Sequence, residues 1–152
     1  MMEMFDDLNL VYSEALTEVI ATVTGIHLNT ESRENDSGFD DVTGVMILKG
    51  KKSGLLSVSA KTADVIVLCS NIIGVPEKDV TDDDIDDTMC ELVNMTAGSA
   101  KQRLSDSEYF FNLTQPFVIK GKDVTIVTKS ITNVVACTLG NGDISVKIKA
   151  IY

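Results

Sequence analysis

Histidine occurs once in this 152-residue chain, at His27. A Ser/His or Cys/His catalytic pair would have to use it, yet it follows a helix stop with no evident partner and reads as a loop residue. Cysteine is scarce and odd in number, at positions 69, 90 and 137, with no CxxC. That offers no zinc spacing; two of the three thiols are expected on buried faces, in a reduced cytoplasmic interior. Only 2 prolines and 10 glycines accompany a hydrophobic content of 44%, which is globular composition and neither disordered nor fibrous. Basic residues number 13 against 23 acidic ones, a net charge of −10. Nucleic-acid backbones and anionic membrane surfaces are poor partners for such a chain. No apolar run approaches 18 residues, so no membrane insertion is expected, and no secretory leader pattern opens the sequence. A GxGxxG loop and a phosphate-binding P-loop are also missing.

What is present fits one domain over residues 1–152, large enough to bury a core unaided. Phe5 to Thr24 carries an apolar stripe at helical spacing that stops at Gly25. Residues 29–41 are polar and read as a loop. Thr43–Lys49 and Leu55–Ala60 read as a hairpin, and Gly38, Gly44, Gly50 and Gly54 as turn glycines. Lys61–Ile73 returns to helical spacing and ends at Gly74. Lys51-Lys52 is a solvated turn. A long helix is expected from about Asp83 to Leu104, then strand-like segments near 109–113, 115–121, 124–129, 133–139 and 144–151. Asn141-Gly142 between the last two is a strong hairpin signal. Val146, Ile148 and Ala150 alternate with Lys147, Lys149 and Ile151, so one face of the last strand is expected in water. The order implies an α+β fold, an antiparallel sheet with long helices packed on one side. A long helix followed by a hairpin in each half hints at an internal pseudo-repeat.

The most informative stretch is Asp87 to Lys101. Steps of three and four residues put Glu91, Asn94 and Gly98 on one face of a helix, opposite Met89, Leu92, Val93, Thr96, Ala100 and Leu104 at core spacing. The acids at 79, 82, 83, 84, 86 and 87 crowd the helix entry, where the macrodipole favours them; the register of a calcium loop is absent. Polar exposed positions are common on helices, and Glu–x–x–Asn alone means little. Asn, however, competes with the backbone in a helix interior, and Gly98 costs about 1 kcal/mol relative to Ala. A helix carrying both side by side is using that face.

Glu91-Leu-Val-Asn94-Met-Thr-Ala-Gly98 resembles the signature helix of the CheX phosphatases, within the CheC/CheX/FliY group of bacterial chemotaxis proteins. Leu113 to Gly121, with Pro116, is similar to the family's proline-bearing segment, and Thr43–Ile73 to its first hairpin and second helix. The resemblance implies a protein phosphatase acting on the aspartyl phosphate of a CheY-type response regulator. Asn94 would orient the attacking water and Glu91 would pair with the receiver's lysine. Asp87, Met95, Gly98 and Lys101 would touch the partner. No cofactor would be bound by this chain; Mg²⁺ would sit in the receiver. Ser99 stands where many relatives carry Asn or Lys. The resemblance further implies a homodimer joined at sheet edges. Two other readings share the fold: a non-catalytic module that binds a receiver or the flagellar switch, and a structural switch protein like the middle domain of FliM.

Overall fold

A computed structural model describes residues 4–33, 38–127 and 133–152. The first apolar stripe becomes helix α1, Met4–Thr24, closed by Gly25 at φ +75° with its N–H donating to the Ala21 carbonyl at 2.9 Å. Left-handed backbone at that point suits glycine, which has no Cβ to clash. Strand β1 is Asn29–Ser32, β2 is Val42–Gly50 and β3 is Gly54–Ala60. Helix α2, Thr62–Ile73, ends at Gly74 in the same left-handed conformation. A 3₁₀ turn at Glu77–Asp79 precedes helix α3, Asp82–Arg103. Strands β4 (Phe111–Asn112), β5 (Phe117–Lys120), β6 (Val134–Gly140) and β7 (Ser145–Ile151) complete the chain.

All the strand pairings are antiparallel, in the order β1-β6-β7-β3-β2, with β4 and β5 both on the far edge of β2. The hairpins β2–β3 and β6–β7 meet through β3 and β7, and the first strand after α1 pairs with the hairpin of the other half. Val42, Met46, Leu56, Val58, Val146, Ile148 and Ala150 form one buried face, on which α1 and α3 pack, with α2 set against those two helices. The helices therefore lie on one side of an antiparallel sheet, as the element order implied.

Four local expectations need correction. Asn29–Ser32 is an edge strand and not a loop; its polar residues lack alternation, and a register shift between Thr30 and Ser32 interrupts the ladder. Residues 124–127 form no strand: beyond β5 the chain turns through Gly121 at φ +146° and Asp123 at φ +58°. The rest of that expected segment, 128–129, lies outside the described residues, as do 34–37 of the polar stretch. Ile151 is buried although Lys147 and Lys149 share its face, because the second face of the sheet is partly covered. Asp40 takes the Lys147 ammonium at 3.5 Å, and Lys149 lies 5.2 Å over the Phe39 ring. Gly44, finally, is no turn residue: it sits inside β2, where a Cβ would stand 2.6 Å from the Met89 carbonyl oxygen. Its missing side chain lets α3 settle directly onto the sheet.

Candidate functional site

Helix α3 starts from a two-way cap. The Thr81 hydroxyl accepts from the Asp84 N–H at 3.1 Å, and the Asp84 carboxylate accepts from the Thr81 N–H at 3.0 Å. This satisfies two N–H groups that the first turn leaves without helical partners. Asp82, Asp83 and Asp84 occupy the first turn and Lys101 and Arg103 the last, each favourable toward the helix dipole. Ile85, Met89, Leu92, Val93, Ala97 and Ala100 hold the inner face in the core. Near the helix exit Arg103 forms an ion pair with Glu18 of α1 and lies 4.0 Å from Glu14. At the entry, Lys120 of β5 pairs with Asp86 at 2.5 Å. That hydrogen bond raises the lysine's pKa and ties the edge strand to the helix.

The outer face is therefore presented by a fixed rod. Asp87 and Glu91 are exposed on it and Asn94 is half-buried. Among the described residues neither Glu91 nor Asn94 makes a side-chain hydrogen bond or ion pair. Both line an open cleft of about 660 Å³. Asp87, Cys90, Glu91 and Asn94 form its helical wall, and Leu113, Thr114, Gln115 and Pro116 the opposite one. The second wall is pinned where the Thr114 hydroxyl donates to the Ile47 carbonyl at 2.6 Å.

Chemically the cleft offers two carboxylates, amides and a thiol, with no cationic side chain among the described residues that line it. Burial, then the charges of Asp87, Asp86 and Glu91, push the Cys90 thiol above its ordinary pKa. It stays protonated near neutrality and is a poor nucleophile. What remains reactive in geometry is a carboxylate and a carboxamide one turn apart. Among the described residues no cluster of His, Cys, Asp or Glu is arranged to hold a metal ion. A second groove, about 420 Å³, runs along α1 past Glu14 and Glu18, but Arg103 engages those acids from within the molecule.

Of the residues singled out in the sequence, Asp87, Glu91 and Asn94 come together in the cleft; Met95, Gly98 and Lys101 stand outside its lining. Met95 is half-buried against the core. A Cβ on Gly98 would meet nothing within 4 Å, so close packing within the chain does not explain that glycine. The Lys101 ammonium lies 5.1 Å over the Phe110 ring. His27 is an exposed loop residue, as expected. Cys90 and the wall from Leu113 to Pro116 were not singled out for this cleft. The signal available for the wall was a proline after two polar residues, between strand-like runs.

A sequence model described as chemotaxis phosphatase CheX matches residues 42–139, more than half of the chain. No curated protein matches the sequence. Among solved structures, CheX of Vibrio vulnificus is similar with a TM-score of 0.83 at 20% identity, covering 99% of each chain. CheX of Desulfovibrio desulfuricans gives 0.81 at 26% identity, over 96% of this chain and 99% of that one. CheX of Borrelia burgdorferi, solved as a complex with CheY, BeF₃ and Mg²⁺, gives 0.78 at 16% identity, over 93% and 95%. With its fold, its signature helix and this match, the chain belongs to the CheX family of chemotaxis phosphatases.

Proposed function

We propose that this chain hydrolyses the aspartyl phosphate of a CheY-type response regulator, with Asn94 and Glu91 as the working pair. The observation that carries the reading is a carboxylate and a carboxamide without partners among the described residues, one turn apart on the outer face of a helix whose inner face is buried in the core. A free phosphate is a poor ligand for a cleft whose described lining holds carboxylates and no cation. The phosphorylated partner must supply its own countercharge. The Borrelia burgdorferi complex, which holds CheY with Mg²⁺, supports a receiver in that role.

An acyl phosphate is already a reactive bond, so positioning and charge stabilisation suffice. The Asn94 carbonyl accepts a hydrogen bond from the attacking water while its NH₂ donates, holding the oxygen in line with phosphorus. The new P–O bond forms as the bond to the receiver's aspartate breaks; the aspartate leaves as carboxylate, and the water's proton ends on the released phosphate. Glu91 accepts hydrogen bonds from the receiver's lysine and fixes the depth of insertion. Mg²⁺, held by the receiver, would neutralise phosphoryl charge. Asp87 borders the insertion, and Gly98 lets the partner's backbone approach one turn further on. The same reading includes Met95 and Lys101 as partner contacts, a cytoplasmic setting and a homodimer joined at sheet edges, which sedimentation tests.

Phosphate release from a phosphorylated receiver tests the assignment. Asn94→Ala is expected to lower kcat about 10²–10³-fold with receiver binding retained, as loss of one positioned donor does. Glu91→Ala is expected to lower kcat and weaken docking as well. A Glu91→Ala variant with unchanged KM and kcat contradicts the role given to that carboxylate.

A further inference from the structure

Two large aliphatic side chains stand uncovered on either flank of the Glu91–Asn94 ridge. Ile73, in the last turn of α2, is 45% exposed and borders a crease of about 240 Å³ whose other wall includes Asp84, Asp87 and Glu91. Leu113, on the far wall of the main cleft, is 43% exposed. Single exposed hydrophobics are ordinary on protein surfaces. These two differ in position: both depressions share Asp87 and Glu91 as a common wall, so the unpartnered ridge rises between two apolar shoulders.

Both shoulders are also held in place. Ile73 precedes the left-handed stop at Gly74, whose N–H donates to the Ser70 carbonyl at 3.0 Å; the Ser70 hydroxyl in turn donates to the Val75 carbonyl at 2.5 Å. Leu113 precedes Thr114, fastened to Ile47, and lies three residues before Pro116. Apolar anchors on fixed backbone lose little freedom on binding, which is where interface affinity concentrates.

We propose that Ile73 and Leu113 are the apolar anchors by which this chain grips the phosphorylated receiver on both sides of the ridge, setting affinity and not the chemical step. The inference rests on the reading under Proposed function. The surface is continuous with the Glu91–Asn94 ridge and acidic through Asp84, Asp87 and Glu91. It therefore favours a partner that presents cationic groups beside its phosphate over a second copy of a chain with net charge −10.

The experiment measures steady-state phosphate release and, separately, receiver affinity without turnover, using a phosphorylated CheY-type receiver from the same cell. Wild type is compared with Ile73→Ala, Leu113→Ala, the double variant, and Leu10→Ala as an exposed aliphatic control on α1, 37% exposed. Each anchor variant is expected to raise KM and Kd about tenfold with kcat within about twofold. The double variant is expected near the product of the singles, and Leu10→Ala unchanged. Unchanged KM and Kd in both single variants overturns the inference, as does a fall in kcat at constant KM. Loss of self-association without a change in receiver affinity also overturns it. Receiver binding by wild type without hydrolysis would refute the proposed activity alone, and Kd for the variants would still decide the anchors.

Discussion

Replacing Gly44 by Ala tests how the sheet positions the site. The added Cβ would stand 2.6 Å from the Met89 carbonyl oxygen, 3.2 Å from the carbonyl carbon and 3.4 Å from Val93 Cβ. Relaxed carbon contacts need about 3.5 Å. The atom in the way is helix backbone and cannot swing aside, so α3 must retreat or tilt. Overpacking of this kind costs about 1–3 kcal/mol, offset in part by about 0.4–1 kcal/mol from the stiffer unfolded chain. A net loss of about 1–2 kcal/mol lowers Tm by about 2–8 °C in a domain of this size. The functional effect is expected to be larger. Met89 lies two residues before Glu91 and Val93 adjoins Asn94, so the shift passes directly into the working face. A displacement of about 1 Å is enough for up to about 10²-fold in rate. Circular dichroism melts and receiver dephosphorylation at 25 °C read the two effects separately. A Gly44→Ala protein with wild-type Tm and wild-type turnover would refute the argument that this glycine seats the helix.

Gly98→Ala should act in the opposite sense on stability: its Cβ enters open space in a helix interior, worth about 1 kcal/mol and a rise of about 2–4 °C in Tm, while receiver turnover falls. A lower Tm would contradict it. Thr96 is fully buried and its hydroxyl has no partner among the described residues, so Thr96→Val should raise stability by about 1–3 kcal/mol in urea titrations. The buried phenols of Tyr12 and Tyr152 bond each other at 2.5 Å, and burial, the largest cause for each, pushes Tyr152 up to about 12 and Tyr12 higher still. Folded values above the unfolded value near 10 mean that this stability is intact below pH ~10 and is lost as pH climbs beyond it. The slope is about 1.4 kcal/mol per pH unit for each phenol. Urea midpoints from pH 9 to 11.5 should fall accordingly, and less steeply in Tyr152→Phe.

The helices were legible because their signals are local. The apolar stripe from Met89 to Ala100, the acids at the entry and the glycines at 25 and 74 each act within a turn or two of chain. Both hairpins were legible for the same reason. Asn29–Ser32 was not, since that polar segment is a strand only because β6 offers it an edge. Gly44 was misread because its purpose is visible only when α3 is laid across it. Within the site, periodicity placed Glu91, Asn94 and Gly98 on one face, and Asp87 came only with the family resemblance. The opposing wall comes from residues 113–116, about twenty positions away, and depends on a tertiary bond from Thr114 to Ile47. No periodicity in either segment encodes that pairing.

The central claim rests on a single rate: the decay of a phosphorylated CheY-type receiver from the same cell, alone, with catalytic amounts of this protein, and with Asn94→Ala. The account predicts faster decay with the wild-type chain and decay near the unassisted rate with the variant. Equal acceleration by both would contradict the role of Asn94, and no acceleration by the wild-type chain would contradict the phosphatase itself.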